Sequence, residues 1–275
     1  MMSVSKFAAM ALALAAVPVT AQAQSCTPKH TFTTVEAGFI TVGASTYAPF
    51  SLINANGVLV GIDGDIMAEI AKMECLKVKP VVADGGSGIQ YVLSKKADTT
   101  TGDWYRTAER ARVVYLSAPL YVDQMAVYSK EGYDSISQME GKVIGSTAGN
   151  LWNTDMKKVF GDKVKIYQTS VQMQQDLMAG RVDLGVDGES IGVVAQQQGQ
   201  LQGIKIVTIK PDKRVAASQE AGQGTFPMTK DNEGLHKAFD EDIAELHKNG
   251  TIAKLLKKYG LNESAATTGE PRLIK

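Results

Sequence analysis

Apolar residues along this chain fall into short extended runs that alternate with stretches of helical spacing, a pattern that predicts strand–helix units around largely parallel sheets. Residues 40–43 read as a first strand. Residues 50–53 and 58–61 flank Asn54-Ala55-Asn56-Gly57, and Asn-Gly between two apolar runs predicts a hairpin because both residue types accept positive φ. A helix follows, with Asp63 or Asp65 as its cap and Ile66, Ile70 and Met73 on one face. Residues 78–82 form a second strand, Ser87 caps a helix carrying Ile89, Val92 and Leu93, and residues 97–102 close the unit as a short strand.

Beyond Arg110 the pattern changes. Residues 113–116 and 121–128 are extended runs separated by Pro119, with no room for a helix between them, so the chain is expected to cross out of the first unit there. A second unit then begins: strand 142–145, a helix after Gly149, strand 164–167, a helix through Val171, Met173, Leu177 and Met178 that Gly180 stops, strand 182–186, helix 190–198 and strand 204–209. The polar stretch 211–224 is the expected return crossing. Leu235, Phe239, Ile243 and Leu246 share one helical stripe, Asn249-Gly250 breaks it, and Ile252, Leu255, Leu256 and Tyr259 form another. Two units joined by two crossings predict two lobes with a ligand cleft between them: residues 24–122 plus 218–262, and residues 124–213, with 263–275 as a loose tail.

The N-terminus reads differently. Lys6 precedes an apolar run, residues 7–17, followed by Pro18 and Ala21-Gln22-Ala23, the layout of a secretory signal peptide spanning residues 1–23. As a helix that run covers about 16 Å, too short for a membrane span. Export to an oxidising compartment makes Cys26 and Cys75, the only cysteines after it, candidates for one disulfide; a lipid-modified Cys26 is the competitor, disfavoured because Ala23-Gln24-Ser25 lacks a lipoprotein signal's pattern. With 29 Lys+Arg against 29 Asp+Glu the chain has no electrostatic footprint for a polyanion, so nucleic acid is not an expected partner.

Motifs for covalent chemistry are thin. Gly188-Glu189-Ser190-Ile191-Gly192 matches a nucleophile elbow between strand and helix, yet the oxyanion motif is missing and the only later histidines, His236 and His247, lie on the amphipathic C-terminal helix. Those two share a helix face without a third ligand, so a solvated face is expected and a zinc site is not. Gly85-Gly86-Ser87-Gly88 lacks the Lys of a phosphate loop and reads as a turn. Neither a cofactor nor a metal is expected. What remains is polar and aromatic residues at strand ends: Tyr47, Asp103, Trp104, Tyr105, Arg110, Asn150 and Asp187.

Several segments together resemble the periplasmic polar-amino-acid-binding proteins of ABC importers, the family 3 extracellular solute-binding proteins. Thr46-Tyr47-Ala48-Pro49-Phe50 followed by Asn56-Gly57 and Gly61-Ile62-Asp63-Gly64 carries the likeness, as do Thr107-Ala108-Glu109-Arg110, Gly141-Lys142-Val143-Ile144-Gly145 with Gly149, Gly180-Arg181-Val182-Asp183 with Asp187, and Asn249-Gly250-Thr251-Ile252. The resemblance implies an α/β, two-lobed periplasmic-binding-protein fold (type II, Venus-flytrap), each lobe a mostly parallel sheet flanked by helices, with two crossing strands as hinge. It implies a periplasmic monomer that captures a polar amino acid or derivative and delivers it to the membrane subunits of an ABC permease.

An α-amino acid needs an arginine fork and a nearby anion. The match places Arg110 on the ligand carboxylate, helped by backbone N–H groups near Asn150 and Leu151 at a helix start, Asp187 on the α-ammonium, and Tyr47 as an aromatic wall. Ala44 stands where relatives that bind cationic side chains have Asp, and Asp103-Trp104-Tyr105 replaces a stretch usually built from Gly, Ser or Thr. Asp103 either receives a cationic group, which makes the expected ligand lean cationic, or turns away to cap the helix near Thr107. Dehydratases that resemble the same family supply an enzyme alternative with Glu189 as general acid, and a soluble partner of a chemoreceptor is a third reading.

Overall fold

Two five-stranded sheets divide the chain. The computed structural model describes residues 26–84 and 86–275, and the expected signal peptide lies outside the described residues, as does Gly85. The first sheet is entered through β1 (Phe39–Ala44), whose Ile40, Val42 and Ala44 point into the main core while Gly43 packs on Thr100 across the other face. A strand buried on both faces is what a parallel sheet requires at its centre. The hairpin β2 (Leu52–Ile53) and β3 (Leu59–Val60) leads into α1 (Ile62–Met73), then β4 (Lys77–Val82), α2 (Gly88–Leu93), β5 (Thr99–Thr101), β6 (Trp104–Tyr105), α3 (Ala108–Val113) and β7 (Tyr115–Leu116). The chain leaves through β8 (Val122–Asp123).

The second sheet takes β9 (Met125–Ser129), β10 (Ile144–Thr147), α4 (Asn153–Phe160), β11 (Val164–Tyr167), α5 (Ser170–Met178), β12 (Leu184–Gly188), α6 (Glu189–Gln197) and β13 (Lys205–Thr208). Return is through β14 (Gly222–Thr225), after which β15 (Pro227–Met228) rejoins the first sheet, and α7 (Glu233–Lys248) and α8 (Thr251–Lys258) cover it. Strand orders are β4-β1-β5-β15-β7 and β11-β10-β12-β9-β13, with β1, β4 and β5 parallel in one and β10, β11 and β12 parallel in the other. Leu235, Phe239, Ile243, Ile252 and Leu256 bury their stripe against Ile66, Ile70 and Phe50, each such side chain contributing about 1.5–3 kcal/mol.

Between the sheets, β14 pairs antiparallel with both β6 and β8. Glycine is needed at this crossing. A Cβ on Gly222 would meet the Tyr105 ring at 2.1 Å, and one on Gly224 the Tyr121 ring at 2.6 Å, so the two tyrosines lie flat on the β14 backbone.

Several local expectations change. Neither Asp63 nor Asp65 caps α1: Gly61 does, at φ 105°, where a Cβ would strike the Phe50 carbonyl oxygen at 2.4 Å. Asp63 turns inward and accepts from Gly102 N at 2.8 Å, Asp103 N at 3.1 Å and the Tyr121 hydroxyl at 2.5 Å. Ser87 stands at the start of α2, but its hydroxyl donates to the Asp84 carbonyl. Helix α3 is the helix expected near Thr107, and Thr107 itself caps it by accepting from Arg110 N at 3.1 Å. The C-terminal tail is not loose. Ala108 N donates to Ile274 O at 2.8 Å, Ile274 N donates to Arg106 O at 3.0 Å, and the Gln223 amide holds the carbonyls of Thr268 and Glu270, each at 2.9 Å. The buried Ile274 side chain and that amide give the segment partners its composition did not reveal.

Candidate functional site

The cleft between the sheets is built from the loops at their strand ends. The first lobe contributes residues 45–47, 84, 86 and 102–105 with Arg110, and the second 147–152 with Gln168. Closed as it stands, its free volume is about 40 Å³, room for a few waters rather than for an amino acid, so binding requires side chains or lobes to move. Gly86 and Gly149 meet backbone to backbone across the cleft, both at positive φ, and a Cβ on Gly86 would lie 2.9 Å from Gly149 Cα. Gly86, expected only to make a turn, thus also lets the lobes approach.

Arg110 spans the two lobes. From α3 its guanidinium donates to Tyr105 O at 2.8 Å and to Gly149 O at 3.2 Å, and it stacks over the Trp104 ring at 4.7 Å. Burial lowers its pKa to about 10, with Asp103 opposing that effect. Among the described residues no carboxylate forms an ion pair with it, which leaves a charged fork without an anion in a closed cleft.

Asp103 is the anion of the cleft with the fewest partners. Its backbone takes φ 56°, its side chain is 8% exposed, and its Oδ1 is buried without a hydrogen-bond partner among the described residues. Burial first, then the charges of Asp123 and Asp63, pushes its carboxyl well above the ordinary range. Thr107, not Asp103, caps α3, so the capping alternative falls. Asp123, on the hinge strand β8, accepts from Ser190 N at 3.1 Å, Ser190 Oγ at 2.7 Å and the Tyr105 hydroxyl at 3.1 Å, and burial raises it to about 6.

Asp187, at the end of β12, sits one layer behind the cleft surface and is fully buried. It accepts from Thr147 Oγ1 at 2.9 Å, Ser170 Oγ at 2.6 Å, Asn150 Nδ2 at 3.0 Å, its neighbour Gly188 N at 3.0 Å, and the Tyr47 hydroxyl at 2.5 Å. Tyr47 comes from the loop after β1 and stacks toward Phe50, so its phenol carries a first-lobe group onto a second-lobe carboxylate. Asn150 and Leu151 line the cleft, but α4 begins only at Asn153, and the Asn150 N–H turns back to Thr147 O at 3.3 Å instead of facing a ligand. Trp104 Nε1 is buried and unpartnered among the described residues.

A profile of the bacterial extracellular solute-binding proteins, family 3, matches residues 40–262. The chain belongs to that family. Family 3 relatives include the lysine/arginine/ornithine-binding periplasmic protein of Escherichia coli (strain K12), 28% identical over 225 residues covering 78% of this chain and 84% of the relative. The histidine-binding periplasmic protein of Salmonella typhimurium is 29% identical over 223 residues, covering 78% and 84%. Among solved structures, an ancestral arginine-binding protein bound to glutamine superposes with a TM-score of 0.71 at 28% identity, covering 82% of this chain and 98% of that one. The architecture is the family's two-lobed, type II fold, and this chain is a solute-binding protein of that class.

Glu189 lies half-buried in a separate groove with Gln124, Val193, Gly260, Leu261, Asn262, Ser264 and Ala265, and does not line the cleft that holds Arg110. Ser190 donates to Asp123 rather than to a histidine. His236 is not on a solvated face: it is buried, stacks on Tyr115 at 3.8 Å and contacts Thr229 O, while His247 contacts Pro119 O. Sequence reasoning missed Asp63, Asp123, Thr147 and Ser170. All four are short polar residues: Asp63 and Ser170 stand in the first turns of α1 and α5, where they read only as helix-start residues, and Asp123 and Thr147 end β8 and β10. Cys26 and Cys75 are joined in a disulfide with Cα atoms 5.7 Å apart, which leaves Cys26 no thiol for a lipid.

Proposed function

We propose that this protein is periplasmic, reaches that compartment through the signal peptide at residues 1–23, and as a monomer captures a cationic amino acid or close derivative for delivery to an ABC permease. The observation that carries the cationic class is Asp103: a buried carboxyl whose Oδ1 has no hydrogen-bond partner among the described residues, close enough to Arg110 for the two charges to interact. A closed cleft holding Arg110, Asp187 and Asp103 is balanced by a ligand with one carboxylate and two positive groups. Arg110 takes the carboxylate, Asp187 takes the α-ammonium once the Tyr47 phenol yields, and Asp103 takes the side-chain cation between Tyr47, Trp104 and Tyr105. Asn150 and Leu151 close the second-lobe side. Relatives named for lysine, arginine, ornithine and histidine support the same class.

Ligand binding to the folded form raises the melting temperature by mass action, so a thermal-shift screen of amino acids, opines, betaines and polyamines tests the proposal directly. Lysine, arginine, ornithine, histidine or a derivative should stabilise the protein. Stabilisation by acidic or neutral amino acids alone would end the cationic assignment. Turnover of prephenate or arogenate by the purified protein would replace transport with catalysis.

A further inference from the structure

On the α7 side of the first lobe, away from the cleft, three distant segments meet around one imidazole. His30 arrives on the N-terminal strand of chain just after the Cys26–Cys75 bridge, Glu74 follows the end of α1, and Asp242 lies within α7. One nitrogen or oxygen from each lies within 4.8 Å of the others. His30 Nδ1 is 2.6 Å from Glu74 Oε1, its backbone N–H donates to Glu74 Oε2 at 3.0 Å, and its Nε2 is 2.9 Å from Glu241 Oε2.

Asp242 forms an ion pair with Lys29 but accepts no hydrogen bond among the described residues. It is 1% exposed. Lys29 Nζ approaches Oδ1 at 3.5 Å but directs its hydrogen bond to Glu245 Oε2. Glu74, 2% exposed, brings a second buried carboxyl to the same point. Two such groups facing one another repel unless a cation or a proton stands between them.

We propose that His30, Glu74 and Asp242 bind a divalent metal ion of the zinc type, which ties the N-terminal segment to α1 and α7. One imidazole nitrogen with two carboxylate oxygens suits zinc, whereas calcium and magnesium take all-oxygen shells of six or more ligands. Glu241 supplies the outer carboxylate: with Nε2–H donating to it, the Nδ1 lone pair faces the cluster. Ligand atoms about 2.0–2.2 Å from a tetrahedral ion stand about 3.3 Å apart, so Nδ1 and Glu74 Oε1 separate slightly, Asp242 closes in, and water takes the fourth position. Lys29 is repelled from Asp242 and stays on Glu245.

The test uses the mature, disulfide-bonded protein made without a histidine tag, stripped with EDTA and dialysed into metal-free buffer. Titration with zinc chloride should show one ion per chain and a saturating rise in melting temperature that calcium and magnesium chlorides do not reproduce. His30→Ala and Asp242→Asn should each weaken uptake by about a hundredfold or more and Glu241→Gln by about tenfold, with amino-acid binding in the cleft intact as the control for folding. No stoichiometric uptake by the wild type overturns the proposal, as does uptake that survives both His30→Ala and Asp242→Asn. If the wild type takes no zinc while Asp242→Asn melts higher, protons hold the cluster together and the metal assignment is wrong.

Discussion

The hydroxyl of Tyr47 donates to Asp187 across the cleft at 2.5 Å, joining a loop of the first lobe to a strand end of the second. The phenol thereby fills the place proposed for the ligand's α-ammonium and completes a set of five donors around one buried carboxylate. Closure without ligand and closure around ligand compete for the same oxygen.

Tyr47→Phe removes that competitor and keeps the aromatic wall. Calorimetry should find the ligand bound about tenfold tighter, the worth of one hydrogen bond to a charged group. Tyr47→Ala should bind more weakly than wild type. Equal loss in both variants would mean that the hydroxyl serves the ligand rather than replacing it.

Arg110→Ala should cost roughly 2–5 kcal/mol of binding, because a desolvated carboxylate loses its bidentate partner. Arg112 in the same helix is exposed and serves as the control. If Arg110→Ala binds like Arg112→Ala, the guanidinium is only a clasp between Tyr105 O and Gly149 O.

Asp103→Asn should abolish the preference for cationic over neutral amino acids. A cation favours the ionised carboxyl, whose pKa burial has raised, so binding releases protons and affinity rises with pH. Calorimetric enthalpies measured in buffers of different ionisation heat should report that release. Proton uptake, or none, would remove Asp103 from the ligand's contacts.

Stability should fall as pH rises through the range where Asp123 ionises. Its folded pKa, about 6, lies above the ordinary value of 3.8, so its contribution is fully present below about pH 4 and is lost by pH 7, an effect on the order of 3 kcal/mol. Asp103 acts with the same sign. Asp212 and Asp231, lowered to about 2 by hydrogen bonds from Arg214 and Lys95, oppose it only at lower pH. Melting between about pH 4.5 and pH 7 should therefore show a declining midpoint, flattened in Asp123→Asn; a midpoint that climbs across that range contradicts the buried-acid reading.

Replacing both Cys26 and Cys75 with serine should cost about 4 kcal/mol, since the bridge closes a loop with a sequence separation of 49. Intact mass of the unreduced wild type should be two hydrogens lighter than that of the reduced protein. Two titratable thiols before reduction would count against the bond.

Much of the architecture was readable from short-range pattern. The alternation around Ile40, Val42 and Ala44, the Asn-Gly hairpin, and the stripe of Leu235, Phe239 and Ile243 depend on which face a residue presents, and burial rewards that choice wherever the element ends up. Strand ends shifted by a residue or two because hydrogen-bonded register, not hydrophobicity, decides where a strand stops. Helix α3 was legible only as a helix near Thr107 without bounds, because six residues carry almost no periodicity. Tyr47, Asp103, Trp104, Tyr105, Arg110 and Asn150 were legible as strand-end residues and Leu151 through the family resemblance, and all seven line one cleft.

Partnership was decided by folding. Asp63 and Asp65 read alike as helix caps, yet one is buried against Gly102, Asp103 and Tyr121 and the other meets Lys258 at the surface. Asp187 carries no local sign that four side-chain donors surround it, and His30, Glu74 and Asp242 are separated by most of the first lobe's sequence. A side chain's face follows from its immediate neighbours, but the charge and solvation of a buried polar group depend on atoms brought in from anywhere along the chain, and those meet only when the sheets and helices pack.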